Sequence, residues 1–104
     1  MSRPYSPSFK KLIANDKSHK LGIDLGRTCM RANLPATYVA EVFDTTRMTI
    51  HSWFRGGVIR SNKRRKIEVF IELLEEDINK GDLPAKTLKE ARTYVEDMIG
   101  RPIK

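Results

Sequence analysis

The sequence predicts an all-α fold, a compact bundle of five or six helices, and three observations predict it. Apolar residues recur at spacings of three and four along most of the chain, as in Leu21, Leu25 and Cys29 or Ile67, Phe70, Ile71, Leu74 and Ile78. No segment shows the alternation of a half-buried strand. Glycines, prolines and capping hydroxyls punctuate the chain at helix-length intervals.

Residues 1–18 read as an N-terminal arm. Met1 to Ser8 carry two prolines and no periodicity, so they are expected to be irregular. Phe9, Leu12 and Ile13 follow at helical spacing among Lys10 and Lys11, which suits either a short helix tucked onto the core or a basic arm that orders on nucleic acid. Ser18 is a candidate cap for a helix over about 19–32, whose Leu21, Leu25 and Cys29 form a buried stripe. A shorter helix is expected over 37–44, with Val39, Ala40 and Phe43 inward. Ala40 is small enough to let a second helix cross it closely.

The most informative stretch runs from Thr45 to Gly57. Thr45 or Thr46 can cap a helix of about three turns or fewer, and Gly56 supplies the left-handed position that ends it. Ile50 and Trp53 fall on one face, while Arg47, His51 and Arg55, each four residues apart, form a ladder on another. One face can anchor while the other contacts a partner.

After Gly56-Gly57 a short connection leads to a helix reaching about Asn79, with Ser61 or Asn62 as cap and Ile67, Phe70, Ile71, Leu74 and Ile78 as its core stripe. Lys63, Arg64, Arg65 and Lys66 lie in its first turns, where the helix dipole disfavours cations and an outside anion would be welcome. Glu72, Glu75, Glu76 and Asp77 are expected to face away or to pair with Lys80. Gly81 breaks the chain, and Pro84 can start a last helix to about residue 99, with Leu88, Ala91, Val95 and Met98 as its stripe and Tyr94 and Ile99 beside it.

At 104 residues with 39% hydrophobic content, the chain can bury one modest core, about 65% of its unfolded surface. Residues 19–104 therefore read as one domain. The single cysteine, Cys29, excludes an internal disulfide and any cysteine-rich zinc site, and its helical surroundings suit burial. No apolar run nears the ~20 residues of a membrane span and no signal peptide is evident, so a cytoplasmic location is expected.

Charge is unevenly distributed. Residues 1–66 hold 14 Lys or Arg against 4 Asp or Glu, a net of +10, whereas residues 67–104 hold 6 against 9, a net of −3. Concentration of positive charge around the Thr45–Gly57 stretch points to a polyanion as partner. The two histidines, His19 and His51, have no catalytic or metal-binding partners at motif spacing, and no phosphate loop or paired-carboxylate signature occurs. The sequence therefore predicts no enzyme activity, no metal, no cofactor and no small-molecule substrate.

Leu21-Gly22, Leu25, Asn33-Leu34, Val39-Ala40, Phe43, Ile50 and Trp53-Phe54-Arg55-Gly56 together resemble the phage-repressor (Cro-type) helix-turn-helix family over about residues 20–57, with the motif at about 36–56. The chain departs from that pattern at Asp44, where the family usually has Gly, at Pro35-Ala36, where a capping residue and Gln are common, and at Thr45, where an apolar residue is usual. An Asp tolerates the left-handed conformation, and Pro35 can occupy a first helical position.

The resemblance implies a sequence-specific double-stranded DNA-binding protein, a small repressor-like transcription regulator of a bacterium or phage-infected host. It implies base reading in the major groove by Thr46, Arg47, Met48, His51 and Ser52, and phosphate contacts from Thr49 and Arg55. Arg60 and the run Lys63, Arg64, Arg65 and Lys66 add candidate phosphate contacts. Family members commonly bind as two-fold dimers, which makes Leu88, Ala91, Val95 and Met98 a candidate homodimer interface. Trp53 to Ile59 also resembles the end of a recognition helix running into the wing of excisionase-like or MerR-like winged helices, which leaves a wing over residues 57–62 open. Two alternatives therefore stand beside the repressor reading: an excisionase-like or architectural accessory protein, and a protein-binding adaptor with a helix-turn-helix shape.

Overall fold

The computed structural model describes residues 17–103, and the expectations for Met1 to Ser8 and for Phe9 to Ile13 fall outside them. The described residues form five helices and no strand: α1 (Lys17–Ala32), α2 (Ala36–Val42), α3 (Arg47–Phe54), α4 (Ser61–Lys80) and α5 (Leu88–Ile99). Helix α1 packs against α3 and α4, and α2 packs against α3 and α5. None of these helices is long and apolar enough to cross a membrane.

The expected stripes supply the core. Leu25 and Cys29 of α1, Val39 and Ala40 of α2, Ile50 and Trp53 of α3, and Ile67, Phe70 and Leu74 of α4 are all buried. Phe43 sits at their centre, meeting Trp53 edge-on at 5.7 Å and Phe70 edge-on at 5.2 Å between ring centroids. Each edge-to-face pair adds about 0.5–1.5 kcal/mol beyond the area it buries, so this trio ties the α2–α3 turn to α4. Burial pushes the Cys29 thiol up to about 12, which fits a packing role.

Helix ends show where local signals acted and where they did not. Ser18 lies inside α1 rather than capping it. The far end of α1 closes with Asn33 in the left-handed conformation, φ 58°, and Leu34 N donating to Cys29 O at 3.0 Å. Pro35 flanks α2 as its extended cap residue, one position before the helical site expected for it. Arg60, not Ser61 or Asn62, flanks α4 and makes no side-chain cap bond, while Gly81 ends that helix with φ 88°.

The last helix starts four residues later than its proline suggested. Thr87 Oγ1 accepts from Glu90 N at 3.1 Å, and Glu90 Oε1 accepts from Lys86 N at 3.3 Å, so a hydroxyl–carboxylate cap sets the start at Leu88. Residues 84–87 are held to the end of α1 instead: Ala85 N donates to Ala32 O at 3.0 Å and Asn33 Nδ2 donates to Ala85 O at 2.7 Å. With the helix starting there, Leu88 sits in the first turn, 64% exposed, and leaves the core stripe. Ala91 and Val95 are covered within the chain at 1% and 0% exposure, so of the four residues expected at a dimer contact only Leu88 and Met98 keep accessible surface.

Past α5 the chain turns back. Ile103 N donates to Glu96 Oε2 at 2.8 Å and Arg92 bonds Ile103 O, which buries the Ile103 side chain. The Ile103 amide, with Arg92 beside it, holds the Glu96 carboxyl below its usual range. Tyr94 donates to Asp77 on α4, and burial together with that carboxylate pushes the phenol well above its ordinary value.

Candidate nucleic-acid interface

The turn from α2 into α3 requires a residue in the left-handed region, and Asp44 provides it with φ 51°. Thr45 N donates back to Ala40 O at 3.0 Å, closing the turn against the small residue of α2. Thr46 then caps α3, its hydroxyl accepting from Thr49 N at 3.1 Å and lying 3.1 Å from the Thr49 hydroxyl. At the other end Gly56, φ 91°, and Gly57 fold back, donating to Trp53 O at 2.9 Å and Ser52 O at 2.8 Å. The eight-residue helix is bounded by the signals the sequence carried.

Its two faces separate cleanly. Ile50 and Trp53 are buried, whereas Arg47, Met48, His51, Ser52 and Arg55 are all exposed. At 100° per residue Arg47, Met48, His51 and Ser52 span an arc of roughly 140°, and Arg55, which caps the end of α3, follows them on the outside. Met48, 80% exposed, is the apolar member of that face, and no acidic residue lies on α3. Thr49 is half-buried at the edge of the arc, and Thr46 stands at its start with its hydroxyl engaged in the cap. The His51 ring meets Phe54 edge-on at 6.1 Å, which gives the imidazole an apolar neighbour on the same helix.

What holds α3 in place is a close approach to α1. Gly22 faces the Trp53 carbonyl so tightly that a Cβ there would lie 2.1 Å from the oxygen. Gly26 faces the Phe54 ring, where a Cβ would meet Cγ at 3.1 Å. Two glycines one turn apart thus let α3 sit down on α1 with its polar face outward.

The basic run at the start of α4 does not act as one patch. Lys63 Nζ donates to Phe43 O at 3.1 Å and Arg64 Nε donates to Ile59 O at 3.3 Å, so both satisfy carbonyls of the segments leading into α3 and α4. Arg65 is exposed and pairs with Glu68 at 3.8 Å, and Lys66 lies 5.7 Å from the Phe43 ring centroid. The anion invited by the helix dipole is thus partly answered by the chain's own carbonyls, which draw two cations back from the helix start. Lys63 and exposed Arg60 still border a cavity of about 340 Å³ shared with Asp44, Thr49, Trp53 and exposed Val58, directly beside the start of α3.

No family model matches the chain, and neither a curated protein nor a solved structure matches it. The residues themselves carry the functional argument. Residues 57–60 form an irregular connection and α4 begins at Ser61, so no strand-built wing follows α3. Sequence reasoning missed Ile59, fully buried in this connection, and exposed Val58 beside it, because an irregular four-residue link has no periodicity to read.

Proposed function

We propose that the chain is a sequence-specific double-stranded DNA-binding protein, a small repressor-like transcription regulator that lays α3 in the major groove. One observation carries the reading: the outward face of α3 presents Arg47, Met48, His51, Ser52 and Arg55 together, with no acidic side chain on the helix. Arg47 and Arg55 can donate in the paired geometry that guanine edges or phosphates accept, His51 and Ser52 offer shorter-range hydrogen bonds, and Met48 can meet a thymine methyl. Arg60 and Lys63, which line the adjoining cavity, would supply contacts to the phosphates that fix register. The net charge of +10 over residues 1–66 supports a polyanionic partner on this side of the sequence. The lack of a strand after Gly57 weighs against the winged, excisionase-like alternative. A homodimer on a palindromic site belongs to the same reading.

Selection of bound sequences from random duplex DNA tests it. Enrichment of a defined site, bound at least about a thousandfold more tightly than random duplex, is the expected result. Uniform, salt-sensitive binding without enrichment would leave only polyanion affinity, and no binding in moderate salt would turn the α3 face toward a protein partner.

A further inference from the structure

One stripe of α4 is unlike the rest of its solvent face. Asn62, Lys66, Val69, Leu73, Glu76 and Lys80 follow one another at spacings of four, three, four, three and four, and all six are exposed. That is the seam spacing of a helix that packs along another helix. At its middle, Val69 is 45% exposed and Leu73 37%, on a face whose other exposed members are polar or charged. They open onto a groove of about 530 Å³ whose far wall is α5, through Met98 and Ile99.

The charges along this seam specify what covers it. Lys66 stands three residues before Val69 and Glu76 three residues after Leu73, so the seam reads basic, apolar, apolar, acidic. Reversed end for end, it is its own complement. A two-fold axis between Val69 and Leu73 sets each Val69 against Leu73 of the other chain and each Lys66 against Glu76 of the other chain, with the two helix dipoles opposed. Parallel pairing would instead bring Lys66 to Lys66 and Glu76 to Glu76. A nucleic acid or an anionic membrane would call for one sign along the whole stripe, which this seam does not have. In the single chain Glu76 lies 3.4 Å from Lys80 at an exposed pair, so its carboxylate is open to a second cation.

We propose that a second copy of this chain docks antiparallel along α4, through Val69 and Leu73 flanked by reciprocal Lys66–Glu76 pairs. The inference takes from the proposed function only the number of chains and assigns the contact to α4, where Ala91 and Val95 of α5 have no surface to offer. Measured on the full chain without DNA, it can fail while DNA reading by α3 stands, and the reverse.

Sedimentation equilibrium over about 1 to 500 µM should show a monomer–dimer equilibrium. Lys66→Glu and Glu76→Lys, each alone, set like charges opposite one another at both ends of the seam and should each weaken the dimer by at least about tenfold. Mixed together, the two variants should associate with each other about as tightly as wild type, because both facing pairs are then opposite in sign. A second measurement needs no variant: zero-length carbodiimide coupling should join Lys66 to Glu76. Within one helix those residues are about 15 Å apart, so such a product can form only between chains. A wild type that stays monomeric throughout, single variants that dimerise normally, a mixture that fails to associate, or a dimer without the Lys66–Glu76 product would overturn the proposal.

Discussion

Replacing Gly22 by Ala should destabilise the protein, although Ala is the better helix former. In an exposed helix interior the exchange would gain about 1 kcal/mol from propensity. At Gly22, however, the new Cβ would lie 2.1 Å from the Trp53 carbonyl oxygen, 2.9 Å from its carbon and 3.3 Å from its Cα. All three are backbone atoms, so no rotamer change relieves the overlap. Helices α1 and α3 must separate by roughly 1 Å to restore ordinary contact, and that loosens the packing of Trp53 on Leu25, Phe43 and their neighbours. Overpacking of this kind costs about 1–3 kcal/mol, and where backbone meets backbone the upper end applies. The net expectation is a loss of about 1–2 kcal/mol, or a melting point lower by roughly 4–16 °C for a domain of this size.

Gly26→Ala is the internal comparison. Its Cβ would meet the Phe54 ring at 3.1–3.2 Å, and Phe54 is only half-buried, so the ring can shift and the propensity gain should nearly cancel the cost. Thermal unfolding followed by circular dichroism would order the three proteins as wild type close to Gly26→Ala, with Gly22→Ala well below both. A Gly22→Ala protein as stable as wild type would show that α1 and α3 do not meet at this distance and would remove the argument that this contact sets the pose of α3.

Three further outcomes follow from the same geometry. Trp53→Ala should cost about 3–5 kcal/mol, since Trp53 is 5% exposed and edge-on to Phe43, and chemical denaturation would measure it. Arg47→Ala should leave the unfolding free energy within about 0.5 kcal/mol of wild type, because Arg47 is exposed, while weakening specific binding by about 1–3 kcal/mol with little effect on random duplex; equal losses on both would remove it from base reading. Cys29, with its thiol pushed up to about 12, should resist a thiol reagent at pH 8 in the native protein and react at once in denaturant, and rapid native labelling would contradict its burial.

The elements fixed by short-range chemistry were legible in advance. Thr46, one of two candidate caps, Gly56 as stop and the Ile67, Phe70 and Leu74 stripe express rules that act within a few residues, whereas the left-handed Asp44 was expected only through the resemblance. The start of α5 differs from the expected one because Pro84 outweighed Thr87 and Glu90, whose side chains accept from Glu90 N and Lys86 N directly at the helix start, and because the ties from Ala85 to Ala32 and Asn33 are long-range. Ile59, Leu83 and Ile103 are buried from irregular segments, where no periodicity marks the inward side. Exposure of Arg47, His51 and Arg55 followed from helical spacing and that of Met48 and Ser52 from the resemblance, but the engagement of Lys63 and Arg64 followed from neither, since their acceptors are carbonyls that only the folded turn brings near.

That engagement changes what the basic run can contribute to binding. Four consecutive residues on a helix are distributed through about 300° around its axis, so Lys63, Arg64, Arg65 and Lys66 cannot all face one phosphate strand. Lys66 lies beside the Phe43 ring and on the groove toward α5, Arg65 is paired with Glu68, and Arg64 is drawn to Ile59 O. Lys63 also gives one donor to Phe43 O, but its ammonium keeps two more and, with Arg60 before it, it borders the cavity that adjoins α3. The cationic surface next to the proposed reading face is therefore built from residues separated in sequence, Arg47 and Arg55 on α3 with Arg60 and Lys63 at the α4 start, rather than from the run of four. Because each phosphate contact adds about 0.9 to the slope of log affinity against log salt, Arg60→Gln/Lys63→Gln should flatten that slope by more than Arg64→Gln/Arg65→Gln does. Equal slopes for the two pairs would mean that DNA draws the run of four out of the contacts it makes in the free chain.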